Sequence, residues 1–330
     1  MSELALSNQR VRWVSWRLAL LLVAAAGVIL FPQLSGYQDY LLYNAGLAAL
    51  YVILATGYNI LIGMTGQLAM SQVAFYGIGA YVSALLTRDA GVNWAFSLLL
   101  AMAAPTFCAW IMARGAVKFT GPYLAMITFA FHSMVVALFI NWTDVTNGWG
   151  GVMRIPPLWV GDFAFANPTR SYYLLVAVAA LGLFVATRIR GSRHGRALFA
   201  IRENRLAAKG VGIDTAAYIT LAFCISGAYA GLAGGLLAHT VRYIDPTSFG
   251  LSTLIDLLII IIVGGRGSVM GVAISAICFV TALEYLRFLQ DWKLIIFGLL
   301  LVILINVSPD GVGALAARLR RRVRGTEVRA

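Results

Sequence analysis

Long apolar stretches alternate with short polar connections along most of the chain. A helix that crosses a bilayer needs roughly 20 apolar residues, and stretches close to that length recur from residue 18 to residue 307. Ten membrane spans are predicted: residues 18–31, 40–62, 67–86, 94–113, 123–142, 171–187, 216–240, 247–263, 269–286 and 292–307. The first and eighth are short, which leaves a tilted, partial or re-entrant segment open there. The pattern predicts an all-α polytopic membrane protein with about ten transmembrane helices.

The same pattern divides the chain into three parts. Residues 1–17 form a polar N-terminal tail, residues 18–307 the transmembrane domain, and residues 308–330 a basic C-terminal tail. The first apolar stretch is followed by Phe31-Pro32-Gln33-Leu34 and not by the small residues of a cleavage site. It is therefore interpreted as a first membrane anchor and not as a cleavable signal.

Composition and charge support this interpretation. The chain is 61% hydrophobic and only 12% charged, whereas soluble domains carry roughly 25% charged residues. With the N-terminus in the cytoplasm, the ten spans place all Lys and Arg residues inside except for a few: Arg88, Arg154, Arg170, Arg242, Arg287 and Lys293. This bias predicts that both ends are cytoplasmic. It also attributes the net charge of +12 to topology and lipid headgroups, so nucleic acid is not an expected partner.

One polar, basic connection is unusually long and lies at residues 188–214, on the predicted cytoplasmic side. Its part from Gly195 to Ala208 is predicted to be a short amphipathic helix. The apolar stripe contains Leu198, Ile201, Leu206, Ala207 and Ala208, and the charged residues outside the stripe are Arg196, Arg202, Glu203 and Arg205. Two explanations remain open at this point: a docking site for another protein, or a charged loop that only fixes topology.

Glycine is the most informative residue type within the spans. Two predicted cytoplasmic turns are rich in it: the first glycine turn, Gly63-Met64-Thr65-Gly66, and the second glycine turn, Gly264-Gly265-Arg266-Gly267-Ser268. Each precedes a span with closely spaced small residues, which suggests an internal repeat. Tight helix packing is the favoured explanation for any single glycine. Together, close-packed helices with broken ends are typical of transport paths.

The sequence offers little for catalysis. It contains no Gly-x-x-x-x-Gly-Lys-Ser/Thr, His-Glu-x-x-His or Gly-x-Ser-x-Gly motif, and its histidines and cysteines lack metal-ligand spacing. A non-enzyme without a metal site is predicted. Asp256 is the one acid well inside a span, where a charge costs about 2.5–3.5 kcal/mol. It could line a path or cap the backbone of a neighbouring helix.

Taken in order, several motifs resemble the permease subunits of bacterial ABC importers for branched-chain amino acids, specifically the member that pairs with a second, related permease. The resemblance covers residues 40–313. It rests on Gly57-Tyr58-Asn59-Ile60-Leu61-Ile62-Gly63-Met64-Thr65-Gly66-Gln67, Phe75-Tyr76-Gly77-Ile78-Gly79-Ala80-Tyr81, Gly121-Pro122-Tyr123-Leu124-Ala125, Thr128-Phe129-Ala130-Phe131, Thr146-Asn147-Gly148-Trp149-Gly150-Gly151, Gly195-Arg196-Ala197-Leu198-Phe199-Ala200-Ile201-Arg202-Glu203-Asn204, Ala230-Gly231-Leu232-Ala233-Gly234-Gly235, the second glycine turn and Pro309-Asp310-Gly311.

The resemblance implies that residues 195–212 form a coupling helix seated on a cytoplasmic ATPase. The implied contacts are Arg196, Ala200, Arg202, Glu203, Ala207, Ala208, Gly210 and Gly212. Candidates for the translocation path or for helix packing are Gly63, Gly66, Gln67, Phe75, Gly79, Thr128, Asp256, Gly264, Gly265 and Gly267. The implied partners are a second permease, two ATPase subunits that bind ATP and Mg, a periplasmic binding protein and inner-membrane lipid. The chain itself needs no cofactor.

The sequence departs from the family pattern at several positions: Ala69, Ser71, Val272, Ser275 and Leu283. Several of these lie on helices near the expected path, so the solute carried stays open, as does pairing with a different or an identical permease. Two alternatives also remain. One is a secondary transporter coupled to an ion gradient through Asp256, and the other is a membrane subunit that carries nothing.

Overall fold

The computed structural model describes residues 38–160, 163–165 and 167–285, together with residues 27, 30–33 and 36. Its helices are α1 (Asp39–Tyr58), α2 (Gln72–Arg88), α3 (Trp94–Ala116), α4 (Pro122–Asn141), α5 (Thr143–Thr146), α6 (Pro168–Gly191), α7 (Arg193–Glu203), α8 (Arg205–Gly210), α9 (Thr215–Val241), α10 (Leu251–Gly264) and α11 (Val269–Tyr285). A π-helical segment, Asn59–Met64, continues α1, and 3₁₀ turns cover Gly148–Gly150 and Pro246–Phe249. Two-residue strands are β1 (Val152–Met153), β2 (Trp159–Val160), β3 (Phe163–Ala164) and β4 (Tyr243–Ile244).

Six helical segments in the described residues are long and apolar enough to cross a membrane: Asp39–Met64, Trp94–Ala116, Pro122–Asn141, Pro168–Gly191, Thr215–Val241 and Pro246–Gly264. The predicted spans at 67–86 and 269–286 correspond to α2 and α11, which have 17 residues each. Apart from Gly27, Leu30 and Phe31, the predicted first span lies outside the described residues, as do the last span and both tails. The chain is an all-α polytopic membrane protein.

Helices α1 and α9 form the centre of the bundle. α9 packs against α3, α2 and α1, while α6 and α11 pack against α1. Glycines allow the helix backbones to approach closely: a Cβ atom at Gly79 of α2 would lie 2.5 Å from the Cα of Gly231 on α9. A Cβ atom at Gly231 would in turn lie 2.1 Å from the carbonyl oxygen of Ala101 on α3. These contacts leave no room for a side chain, so Gly79 has a packing role.

The connection between α1 and α2 differs from the predicted continuous span at 67–86. Residues 66–71 are not helical, and Gly66 adopts a φ of +72°. Ala69 nevertheless is fully buried. Side chains satisfy this buried backbone: the Tyr58 hydroxyl donates a 2.6 Å hydrogen bond to the Ala69 carbonyl, and the Met70 amide donates a 2.8 Å hydrogen bond to Thr128 Oγ1. Non-helical backbone can persist among membrane helices when protein groups complete its hydrogen bonds.

The connection between α4 and α6 is folded and not a plain loop. β1 pairs antiparallel with β4, and β2 pairs with β3. Gly151 adopts a φ of +66°, and a Cβ atom there would lie 2.3 Å from the Ile244 carbonyl oxygen. This end of the bundle lies opposite the one that carries α7 and α8. The two ends are called the α7 end and the opposite end.

Candidate functional site

The α7–α8 segment, formed by helices α7 and α8, is bent at Asn204. Asn204 is extended, with φ −157° and ψ 109°, and its side chain accepts hydrogen bonds of 3.0 Å from the amides of Leu206 and Ala207. It therefore caps the start of α8. The continuous helix predicted from Gly195 to Ala208 is accordingly two helices, because this asparagine interrupts the first and begins the second.

The bend changes which apolar residues are buried. Leu198, Ile201 and Ala208 pack into the protein, as the predicted stripe requires. Leu206 is 82% exposed and Ala207 is also exposed, so both point away from the bundle. The predicted stripe is therefore wrong at these two positions, because a single helical wheel does not continue past Asn204.

Gly195 makes the turn from α6 into α7 possible. A Cβ atom there would lie 2.3 Å from the carbonyl oxygen of Ile189 and 2.5 Å from that of Arg190. The Gly195 amide donates a 3.2 Å hydrogen bond to Ser192 Oγ, which caps α7. A side chain at residue 195 would force α6 and α7 apart.

Arg202 points towards the bundle from α7. Its Nη1 atom donates hydrogen bonds of 2.7 Å to the carbonyl oxygen of Gly63 and 3.1 Å to that of Arg266. The first carbonyl belongs to the first glycine turn and the second to the second glycine turn. Sequence reasoning placed Arg202 outside the apolar stripe, and the long side chain reaches inward from that position.

The two glycine turns touch each other at the α7 end. A Cβ atom at Gly63 would lie 2.5 Å from the amide nitrogen of Gly267. That amide donates a 2.8 Å hydrogen bond to Asn59 Oδ1. Gly267 adopts a φ of +84°, which few residues other than glycine tolerate. The two predicted repeats therefore meet through their turns.

The other glycines of the second turn pack α10 onto α11. A Cβ atom at Gly264 would lie 2.6 Å from the Cα of Val272, and Gly265 ends α10 with a φ of +87°. Gly264 therefore allows the backbones of α10 and α11 to approach, and Gly265 allows the turn between the two helices.

A second arginine fixes the α7–α8 segment to the bundle. Arg205 Nη2 donates a 2.8 Å hydrogen bond to the carbonyl oxygen of Val117, just after the end of α3. Sequence reasoning missed this role for Arg205, as it missed Asn59. Asn59 was recognisable as a polar residue within an apolar span and Arg205 as one charge of a basic segment, but nothing in the sequence indicates their partners.

The remaining predicted coupling residues lie outward or at the edge. Arg196 and Glu203 are exposed, and the Glu203 side chain forms no ion pair or hydrogen bond within the described residues. Ala200 is half-buried. The exposed Gly210 and Gly212 have nothing near their Cα atoms that would meet a Cβ, although Gly212 needs its φ of +85°. The segment thus separates an inward arginine face from an outward mixed face.

The predicted path residues near the non-helical residues 66–71 are buried. Phe75 and Thr128 are fully buried, and Gln67 is nearly so. Sequence reasoning missed Gln72, whose Nε2 donates hydrogen bonds of 3.4 Å to the Leu54 carbonyl and 3.3 Å to the Ser226 carbonyl. The hydroxyl of Ser226 donates a 2.5 Å hydrogen bond back to Gln72 Oε1. This polar cluster joins α1, α2 and α9.

Asp256 lies apart from that cluster. It is on α10 and only 5% exposed. A buried carboxyl at this position can serve helix packing or line a path. Among the described residues, no group of three or more His, Cys, Asp or Glu side chains is arranged to hold a metal ion.

The opposite end carries a cavity of about 240 Å³ between α1, α6 and the end of α9. Its polar lining consists of Tyr43, Ser171, Tyr172, Thr240 and Arg242. Four side chains are hydroxyls and one is a guanidinium. The cavity is therefore lined in part by hydrogen-bonding groups.

Asp245 caps the 3₁₀ turn beside this end. Its carboxylate accepts hydrogen bonds from the Thr247 amide at 2.8 Å and the Ser248 amide at 3.1 Å, and from both hydroxyls. Burial alone would raise the pKa of the Asp245 carboxyl, but the hydrogen bonds from Thr247 and Ser248 outweigh burial and lower it. The cap is therefore ionised at neutral pH.

Comparison with known proteins assigns a family to this arrangement. Residues 40–305 match the family described as the permease component of branched-chain amino acid transport systems. The chain belongs to this permease family. The match includes both glycine turns and the whole α7–α8 segment.

Individual relatives agree with the family. The permease is 28% identical to the high-affinity branched-chain amino acid transport system permease protein LivM of Salmonella typhimurium, over 93% of this chain and 76% of the relative. It is 27% identical to the permease protein LivH of Escherichia coli K12, over 81% of this chain and 92% of LivH. It is also 25% identical to the galactofuranose transporter permease protein YtfT of Escherichia coli, over 80% and 78%. No solved structure matches the chain.

Proposed function

We propose that this chain is one of two related permease subunits of an ABC importer that moves branched-chain amino acids into the cytoplasm. Its similarity to both LivM and LivH supports a pair of permeases. The proposed arrangement has ten spans with both ends cytoplasmic, so the α7 end faces the cytoplasm. A periplasmic binding protein would then deliver the solute at the opposite end.

One observation carries the coupling part of the proposal. The α7–α8 segment is held to the bundle by Arg202 and Arg205, yet it presents Arg196, Glu203 and the exposed Leu206 outward. Charged groups set the register of a docked partner, and an exposed apolar side chain supplies contact area. We infer that this outward face is the coupling helix that seats in a partner ATPase.

The mechanism follows from that attachment. ATP and Mg would bind to the two ATPase subunits, and this binding would close the pair and displace the α7–α8 segment. The ATPases would then hydrolyse the ATP. Because the segment is hydrogen-bonded to both glycine turns, displacement reaches the helices that begin there. Helix bundles then rock as rigid bodies, and the solute cavity changes the side to which it opens. The family assignment does not favour the alternative of an ion-coupled transporter that uses Asp256.

The docking proposal is tested by charge reversal on the outward face. The variant Glu203→Lys, in the complex with the second permease and the ATPases, should reduce ATPase co-purification at least tenfold and leave the membrane part monodisperse. Asp144→Lys makes the same charge change at an exposed residue of the opposite end and should retain the ATPases. If Glu203→Lys retains them as well, Glu203 does not contact the ATPase.

The energy source is tested in proteoliposomes that contain the complete complex and the binding protein. Uptake of labelled leucine should require ATP on the side of the membrane that carries the ATPases, and it should not respond to a proton or sodium gradient. Sustained uphill uptake driven by an ion gradient without nucleotide would contradict the ABC mechanism. The variant Asp256→Asn should keep ATP dependence if Asp256 serves packing.

A further inference from the structure

Arg202 holds three separate pieces of the chain together at one nitrogen atom. Its Nη1 donates to Gly63, which lies 139 positions earlier, and to Arg266, which lies 64 positions later. The side chain itself starts on α7. One guanidinium nitrogen thus connects the α7–α8 segment with both glycine turns.

The side chain lies in a slot made by glycine backbone. A Cβ atom at Gly66 would lie 3.2 Å from Arg202 Cγ, and a Cβ atom at Gly267 would lie 3.0 Å from Arg202 Nη1. Glycine at these positions lets the two turns close around the stem and the head of the arginine. Arg202 is only partly exposed, in contrast to its neighbour Glu203.

The position also suits a positive charge. Gly63 lies in the last turn of the helical segment that ends at Met64, and Arg266 follows the end of α10 at Gly264. Carbonyl groups at helix C-termini carry partial negative charge, so two such ends repel each other when they meet. The guanidinium lies at both ends at once: it satisfies the Gly63 carbonyl, which is in the last turn of its helical segment, and the Arg266 carbonyl in the turn after α10.

We propose that Arg202 is a positioning residue that transmits movement of the α7–α8 segment to both glycine turns and does not bind the ATPase. This inference rests on the proposed function of the segment as the coupling helix. The first turn leads into the non-helical residues 66–71 and then α2, and the second leads into α11. A displacement of α7 therefore moves the starts of two helices together.

The test separates attachment from transmission. In the complete complex, Arg202→Met should retain the ATPases and their ATP hydrolysis, while leucine transported per ATP hydrolysed falls at least tenfold. Arg202→Lys keeps the positive charge but loses the planar fork of donors. Its ratio of leucine transported to ATP hydrolysed should lie between those of Arg202→Met and wild type. Glu203→Lys is the matched comparison, because it should lose the ATPases themselves.

Each outcome decides the inference. An Arg202→Met complex that loses the ATPases as Glu203→Lys does would make Arg202 a docking residue and overturn the inference. Full transport per ATP in Arg202→Met would overturn it as well. If Arg202→Met does not fold, Arg202→Lys decides: a lowered ratio supports the inference and a wild-type ratio contradicts it. Failure of the wild-type complex to bind ATPases would instead reject the proposed function.

Discussion

Asn59 and Gly267 are joined by a hydrogen bond although they lie 208 positions apart in the chain. The backbone amide of Gly267 donates to Asn59 Oδ1 at 2.8 Å, and Asn59 is fully buried. The bond lies where the two glycine turns meet. It connects the first and last thirds of the described chain at the α7 end.

Replacing Asn59 should weaken this connection. Asn59→Ala leaves the buried Gly267 amide without its acceptor, which should lower the free energy of unfolding by about 1–3 kcal/mol. Thermal unfolding of the purified subunit in detergent measures the loss. The control Asn141→Ala removes an exposed amide that bonds only within its own helix, and it should change stability by less than about 0.5 kcal/mol. Equal effects of the two variants would show that the long-range bond contributes nothing.

The contact between α2 and α9 should not tolerate a methyl group. Gly79→Ala places Cβ 2.5 Å from the Gly231 Cα and 2.6 Å from its carbonyl oxygen, so the helices must separate. The expected loss is about 1–3 kcal/mol in free energy of unfolding. Gly115→Ala is the matched control, because nothing lies within 4 Å of a Cβ on this helical glycine. It should be neutral or slightly stabilising, since alanine favours helix over glycine by about 1 kcal/mol.

Gln72 and Ser226 should be energetically coupled. They exchange hydrogen bonds between α2 and α9, so each single replacement leaves the other side chain partly unsatisfied. A double-mutant cycle of Gln72→Ala and Ser226→Ala, read by thermal unfolding, should give a coupling energy of about 0.5–3 kcal/mol. As a control, Gln72→Ala combined with Thr106→Ala should be additive, because the Thr106 hydroxyl bonds within α3. Additivity in the first pair would contradict the coupling.

The contribution of the Asp245 cap to stability should be lost at low pH and not at high pH. Its pKa is lowered in the folded protein, so the ionised cap stabilises the fold above the ordinary carboxyl pKa of about 3.9, and this contribution is lost as the pH falls through the folded pKa. The difference in melting temperature between wild type and Asp245→Asn should be constant above about pH 5 and shrink below about pH 4. A difference that disappears near neutral pH would contradict the lowered pKa.

The sequence was sufficient to locate most helices. Apolar length predicted α1, α3, α4, α6, α9 and α10 to within a few residues, because lipid contact requires continuous apolar surface. The interruption of the helix at residues 66–71 could not be predicted from apolar length. Leu68, Ala69 and Met70 are as apolar as residues of a membrane helix. The non-helical backbone there depends on hydrogen bonds from the Tyr58 hydroxyl and to Thr128 Oγ1, and the local sequence does not show these partners.

The α7–α8 segment was likewise predicted only in part. Its position and basic character were visible in the sequence, but its division at Asn204 depends on a local cap that competes with a continued helix. Arg202 and Glu203 are adjacent and charged, and the sequence treats them alike. They differ because the partners of Arg202 are carbonyls far along the chain, and a local sequence pattern does not show which distant backbone lies nearby.

The bond between Asn59 and Gly267 also has a consequence for biosynthesis. Ribosomes add about 5–20 residues per second, so the 208 positions between the two residues take about 10–40 s to translate. Throughout that interval the π-helical segment Asn59–Met64 lacks the Gly267 amide from which Asn59 accepts its hydrogen bond. The α7 end therefore reaches its final arrangement only after α10 has been made, and newly inserted chains pass through an intermediate in which the first turn has not yet met the second.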